Sequence, residues 1–162
     1  MRNLWAPWRI SYILGPKPDA CIFCLDENRS TDRERFILYR SSSCFVVMNK
    51  YPYNNGHVMV APYVHVSCIT ELAPEESLDF MHIMQKSAGI VKKHFKAQGM
   101  NIGMNIGAAA GAGIKEHLHC HIVPRWNGDA NFMAVLAEVH TIPQHIEETY
   151  LALLPYFEDK RP

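Results

Sequence analysis

The chain has 162 residues, 48% of them hydrophobic, and its 16 Lys+Arg are balanced by 16 Asp+Glu. That length and composition suit one domain with a buried core, and a formal net charge of zero leaves no global field to hold the chain on nucleic acid or an anionic membrane, so any phosphate it binds needs a local site. The opening stretch MRNLWAPWRISYI is broken by Trp, Pro and Arg, no apolar run approaches the roughly 18 residues of a membrane span, and five cysteines are an odd number for a disulfide framework, so a cytoplasmic protein with thiols or metal-bound cysteines is expected.

Residues 1–35 read as an irregular segment that closes with the charged run Asp26 to Arg35, expected to be a solvated loop. Within it C21-I-F-C24 is a Cys-x-x-Cys pair. Such a pair is either redox-active or half of a zinc site, and the absence of any thioredoxin-like βαβ pattern around it favours zinc. Three β-rich runs follow, 36–39, 44–49 and 57–61, separated by S41-S-S and K50-Y-P-Y-N-N-G56, which predicts an antiparallel meander. Pro74, Glu75 and Glu76 then mark a helix start, and Leu78, Met81, Met84, Ala88, Val91 and Phe95 recur at helical spacing until Gly99, an apolar stripe expected to face the core.

Residues 100–106 read as a further strand. After it the run N105-I-G-A-A-A-G-A-G-I-K-E116 places Gly107, Gly111 and Gly113 in a loop whose small residues let backbone N–H groups approach an anion. H117-L-H-C-H-I-V-P-R125 reads as the next strand, and a C-terminal helix is expected from about 143 to 154. Strands, one long helix and strands again make an α+β chain whose antiparallel sheet carries that long helix and the C-terminal one. Cys44, Cys68 and Cys120 sit among apolar residues and read as core.

In a strand, alternate side chains share a face, so His117, His119 and His121 would line one side and Leu118, Cys120 and Ile122 the other. A core gains little from burying three titratable rings in a row, which points to function. Three chemistries use such a row: a three-His catalytic metal site, general acid–base work, or a nucleophilic imidazole whose neighbours position a phosphate. The metallohydrolase option is weakened by geometry, because alternate residues of one strand stand roughly 6.6 Å apart at Cα whereas metal ligands converge.

His117-Leu-His119-Cys-His121-Ile-Val matches the signature of the histidine triad (HIT) superfamily, His-φ-His-φ-His-φ-φ with φ apolar, and the chain resembles that family elsewhere too. The resemblance takes in the Asn-x-x-Pro-x-x-x-Gly-His segment at Asn49 to His57, Asn105 to Gly107, and Pro124-Arg125, and so spans most of residues 20–135. L4-W-A-P-W8, EHLHCHIVPRW and GDANF (128–132) look most like the bacterial branch related to diadenosine tetraphosphate phosphorylases and hydrolases, on the fragile-histidine-triad side. One departure is Gly113-Ile114, where many members carry Gln followed by Ser or Thr; leaving-group contacts are not carried over there.

The resemblance implies one HIT domain over 1–162, made of the irregular segment 1–35, a core of 36–135 and a helical extension of 136–162. It implies His119 as the nucleophile on the α-phosphorus of a nucleotide, resolved by water or phosphate, and His121 as a contact to the phosphate oxygens. Asn49 corresponds to the ribose partner, Asn105 to a residue near the phosphate, and His57, Gly111 and Gly113 join the nucleotide-binding set; Ile22, Phe23 and Phe45 would flank the base. Family members with a Cys-x-x-Cys pair complete a zinc site with a Pro-x-x-His histidine and the first triad histidine, here His65 of P62-Y-V-H65 and His117. With Cys21 and Cys24 these form a closed set for one structural zinc per chain. The expected partner is a nucleotide or dinucleoside polyphosphate, with no nucleic acid and no membrane, and the chain is expected to form a homodimer. A non-catalytic nucleotide sensor remains the alternative class, since turnover is not written in residues.

Overall fold

The computed structural model describes residues 21–25, 28–129, 142 and 144–158. Among these residues five antiparallel strands form one sheet: β1 Ile37–Arg40, β2 Cys44–Met48, β3 Val58–Pro62, β4 Gly99–Gly103 and β5 Cys120–Arg125, in the order β1-β2-β3-β5-β4. The α-helices among the described residues are α1 Asp32–Arg35, α2 Pro74–His94 and α3 Ile146–Phe157. This is the α+β arrangement that the alternating runs predict. Among the described residues, no helix is long and apolar enough to cross a membrane.

Strand alternation divides the core in two. Val46 and Met48 of β2, Val58 and Val60 of β3, and Cys120 and Ile122 of β5 face α2 and α3, where they pack on Phe80, Ile83, Val91, Tyr150, Leu153 and Phe157. Their neighbours Phe45, Val47, Met59 and Ala61 face the other way and pack with Phe23 and Ile37. In this register His121 lies opposite Met59. The histidine face is thus the face without the long helix, which leaves room for a site.

Several boundaries depart from the sequence expectation, each for a local reason. The charged run is not simply a solvated loop: Asp32 to Arg35 form α1, Asp32 takes Arg40 in a two-pronged ion pair, and Arg35 donates to the carbonyl of Ile22. Phe36 closes α1 at φ 59° and is not yet strand. In α2 the buried face is set by Phe80, Ile83, Ser87 and Val91, so the predicted stripe is rotated; Leu78 is 74% and Met81 47% exposed, while Met84, Ala88 and Phe95 pack partly against the core. Pro74 opens this helix and Glu76 caps the Ala73 N–H (2.9 Å). It stops at His94, because Lys96 turns to φ 49° before Gly99 is reached.

The predicted strand 100–106 ends at Gly103, and β5 starts only at Cys120, so His117 and His119 lie just ahead of the strand proper. The C-terminal helix runs Ile146–Phe157; Pro143, Trp5, Trp8 and residues 130–132 lie outside the described residues. Cys44 and Cys120 are fully buried, as expected, but Cys68 is only half-buried and takes a hydrogen bond from Thr70, outside the core.

Candidate functional site

Each triad histidine meets a different partner, and the backbone decides which nitrogen carries the proton. His117 Nε2 faces the Pro62 carbonyl at 2.9 Å, and His119 Nδ1 faces the His117 carbonyl at 2.8 Å. A carbonyl only accepts, so both nitrogens are N–H donors, and the free lone pairs are His117 Nδ1 and His119 Nε2. His121 Nδ1 lies 2.9 Å from His57 Nε2. Its direction follows from the other end of His57, whose Nδ1 receives the Tyr53 N–H at 3.1 Å and lies 3.3 Å from Asn49 Nδ2. His57 Nδ1 is therefore the acceptor, Nε2–H donates to His121 Nδ1, and neutral His121 holds its own proton on Nε2.

The row consequently presents a lone pair on His119 beside an N–H on His121, with ring centroids 4.9 Å apart. Burial favours the uncharged rings. It pushes His57 down to about 3, helped by the neighbouring His121 and His119, and His121 down to about 4, helped by His119. Burial also lowers His119, against which its bond to the His117 carbonyl acts in the opposite sense. At neutral pH the site is a set of neutral imidazoles.

The nucleotide-binding residues expected from sequence are distributed less evenly. Asn49 is half-buried at the end of β2, where its Oδ1 accepts the Tyr51 N–H (2.9 Å), so it shapes the turn as well as edging the site. His57 is completely buried with both ring nitrogens engaged, so a direct nucleotide contact is not open to it; its influence runs through His121. Gly111, at φ +80°, closes a tight turn and commits its N–H to the Ala108 carbonyl (3.0 Å), while Ala110 and Ala112 donate to Gly107. Those three N–H groups point inward rather than at an anion. Asn105 is half-buried and Gly113 exposed in the same loop.

Phe23 is buried against His119 (ring centroids 4.8 Å) and His117 (5.5 Å), and Phe45 is wholly buried and stacked on Tyr63, whereas Ile22 is 45% exposed. The aromatic pair thus backs the histidines. Tyr53 and Pro62 were not legible as site residues, since they act through backbone groups that any residue supplies.

A second cluster adjoins the first. Cys21 Sγ lies 3.4 Å and Cys24 Sγ 3.8 Å from His117 Nδ1, Cys24 Sγ lies 3.1 Å from His65 Nδ1, and the four ligand atoms all fall within 4.8 Å of one another. A tetrahedral zinc with bonds of roughly 2.0–2.3 Å to nitrogen and sulfur requires spacings of this order. His117 offers its unprotonated nitrogen to the cluster because Pro62 holds the other, and the Leu118 N–H bonded to the Val66 carbonyl (2.6 Å) sets His65 beside His117. Among the described residues this is the one grouping of such side chains close enough to share an ion. The triad itself does not converge: its three rings have three separate sets of partners, which speaks against a three-His metal centre.

The HIT domain family matches residues 30–128. The chain is 35% identical to a protein of Mycobacterium tuberculosis named AP-4-A phosphorylase, over 92% of this chain and 80% of that one. It is 32% identical to a bis(5'-adenosyl)-triphosphatase of Dictyostelium discoideum, over 57% of this chain and 62% of that protein. Among solved structures, a Zn-bound histidine triad family protein from Mycobacterium smegmatis superposes with a TM-score of 0.67 at 27% identity, covering 85% of this chain and 93% of that one.

Proposed function

This chain belongs to the HIT domain family, and from that premise we propose that it is an enzyme that cleaves a dinucleoside polyphosphate at the α-phosphorus through a covalent nucleotidyl-His119 intermediate. The observation that carries the reading is the bond from His119 Nδ1–H to the His117 carbonyl, which leaves Nε2 as a lone pair on a neutral ring. In the first half-reaction the His119 Nε2–P bond forms as the P–O bond to the leaving nucleotide breaks. The ring gains positive charge, which the His117 carbonyl stabilises through the Nδ1–H. His121 donates its Nε2–H to a phosphate oxygen as negative charge builds there. In the second half-reaction the oxygen of water or inorganic phosphate attacks phosphorus as the P–N bond breaks, the proton of an attacking water passes to solvent, and His119 returns to its neutral form with its proton still on Nδ1. The names of the relatives in Mycobacterium tuberculosis and Dictyostelium discoideum support this substrate class.

Cys21, Cys24, His65 and His117 fit one zinc ion per chain, and a closed set of four protein ligands makes its contribution structural. What these residues do is join the segment around Cys21 to the start of the histidine row, which supports reading that segment and the sheet as parts of one domain, the single domain proposed over 1–162. A cytoplasmic homodimer is part of the same reading; the exposed Leu78 and Met81 of α2, and Ile102 on the edge strand β4, offer apolar surface for a second copy.

Incubation with diadenosine tetraphosphate, with and without inorganic phosphate, tests the reaction. AMP plus ATP marks water as acceptor and ADP plus ATP marks phosphate; no cleavage of this or the triphosphate analogue contradicts the reading.

A further inference from the structure

The turn that carries His57 is fastened to the far end of the histidine strand. The Asn54 carbonyl accepts the His57 N–H (3.3 Å), while the Asn54 side-chain amide donates to Asp129 Oδ2 (3.0 Å) and to the Pro124 carbonyl (3.2 Å). Asp129 is itself held: its carboxylate takes Arg125 Nε (2.6 Å), Arg125 Nη2 (2.8 Å) and the Trp126 N–H (3.1 Å). Arg125 in turn reaches Asn101 Oδ1 on β4 (2.8 Å). A charged acceptor with four donors is a firm anchor.

These contacts close a circuit. It leaves His121 along β5 to Pro124 and Asp129, crosses to Asn54, passes through the Tyr53 N–H to His57 Nδ1, and returns from His57 Nε2 to His121 Nδ1. Gly56 tightens the same turn: its φ is +75°, and a Cβ there would sit 2.4 Å from the Phe95 ring, so the chain has no slack on that side. We propose that Asn54, anchored by Asp129 and the Pro124 carbonyl, is a positioning residue that holds the His57 ring in register with His121 and so fixes the proton on His121 Nε2. Asn54 acts through two other residues and touches neither phosphate nor nucleophile in this role. The kinetic consequence rests on the reaction proposed above; the structural consequence does not.

Two measurements test it. Asn54→Ala should lower kcat about tenfold with KM changed less than about twofold, since misplacing a catalytic group costs rate more than binding. In a His57→Ala background the same substitution should cost almost nothing further, because the group it positions is gone. Additive losses, an unchanged kcat, or a loss confined to KM would overturn the proposal. Nitrogen-15 spectra at neutral pH should show His57 and His121 each as a single Nε2–H tautomer in the natural chain and as tautomer mixtures in Asn54→Ala; one retained tautomer at both rings would also overturn it. Asp129→Asn, which keeps the shape but weakens the acceptor, serves if Asn54→Ala does not fold, with the same outcomes required. If the natural chain cleaves no dinucleotide, the functional reading fails while the spectra still decide the role of Asn54.

Discussion

His57 Nε2 donates to His121 Nδ1 across 2.9 Å, and this one bond makes a fully buried histidine the determinant of which proton its half-buried neighbour offers. The backbone N–H of Tyr53 sets the direction by occupying the opposite nitrogen of His57. A row of identical side chains thereby acquires different roles: lone pair on His117 Nδ1, lone pair on His119 Nε2, proton on His121 Nε2.

His119→Ala should abolish turnover while nucleotide binding stays measurable, because the attacking atom is removed and the turn at Asn49 is untouched. His121→Ala should slow turnover by about 10²–10³-fold, the magnitude typical of removing one donor that stabilises developing charge. Steady-state kinetics and equilibrium titration of both variants check the division; equal and total losses at both positions would leave it unsupported.

The depressed proton affinities of His57 and His121 predict a stability profile. In the folded chain both stay neutral until pH approaches about 3 and 4, whereas in the unfolded chain each protonates near 6.5. Between these limits the unfolded state binds more protons, so stability is present above about pH 6.5 and declines as pH falls towards 4. Thermal melts from pH 8 to 5 should show a falling midpoint, and His57→Gln should flatten that fall. A midpoint that rises on acidification would contradict the burial of neutral rings.

How much of this was legible in the sequence varies with the kind of group involved. The alternation of His121 with Cys120 and Ile122 gave away both faces of the strand, since Cys120 and Ile122 join the helix-side core while His121 lies opposite Met59 on the other face; His117 and His119, equally buried, lie ahead of the strand. The four side chains Cys21, Cys24, His65 and His117 were visible as residue types suited to a metal and came together in space. What escaped was anything set by tertiary packing: the rotation of α2 that exposes Leu78, the burial of His57, and the inward closure of the turn at Gly111. Helical spacing fixes the width of an apolar stripe, but the contacts of Phe80 and Ile83 with the sheet choose which side of it is covered. The tautomers escaped altogether, because Tyr53 and Pro62 supply them through backbone atoms.

Gly56→Ala should destabilise the chain by about 1–3 kcal/mol, the range for a strained backbone or an overpacked contact. The position has φ +75° and a new Cβ would meet three atoms of the Phe95 ring at 2.4–2.9 Å. Denaturant unfolding checks the number. A second substitution, Phe95→Leu, should recover part of the loss if the ring contact is its source.

For the metal, elemental analysis of the purified chain should find about one zinc per chain, and Cys24→Ser should lose it together with much of the thermal stability, because binding free energy of a structural metal is folding free energy for the segments it joins. A Cys24→Ser sample that remains folded should keep a substantial share of its activity. Activity lost without unfolding and restored by added zinc would refute the structural role.

The central claim is that His119 Nε2 becomes bonded to phosphorus. Rapid mixing with a dinucleoside polyphosphate, quenching without acid and peptide mass spectrometry test it directly, since a phosphoramidate on imidazole survives neutral handling and is lost in acid. The account predicts one nucleotidyl group on the peptide carrying His119, forming and decaying at rates consistent with turnover and absent from His119→Ala. Turnover with no adduct at any time, or an adduct placed on His121, would contradict it.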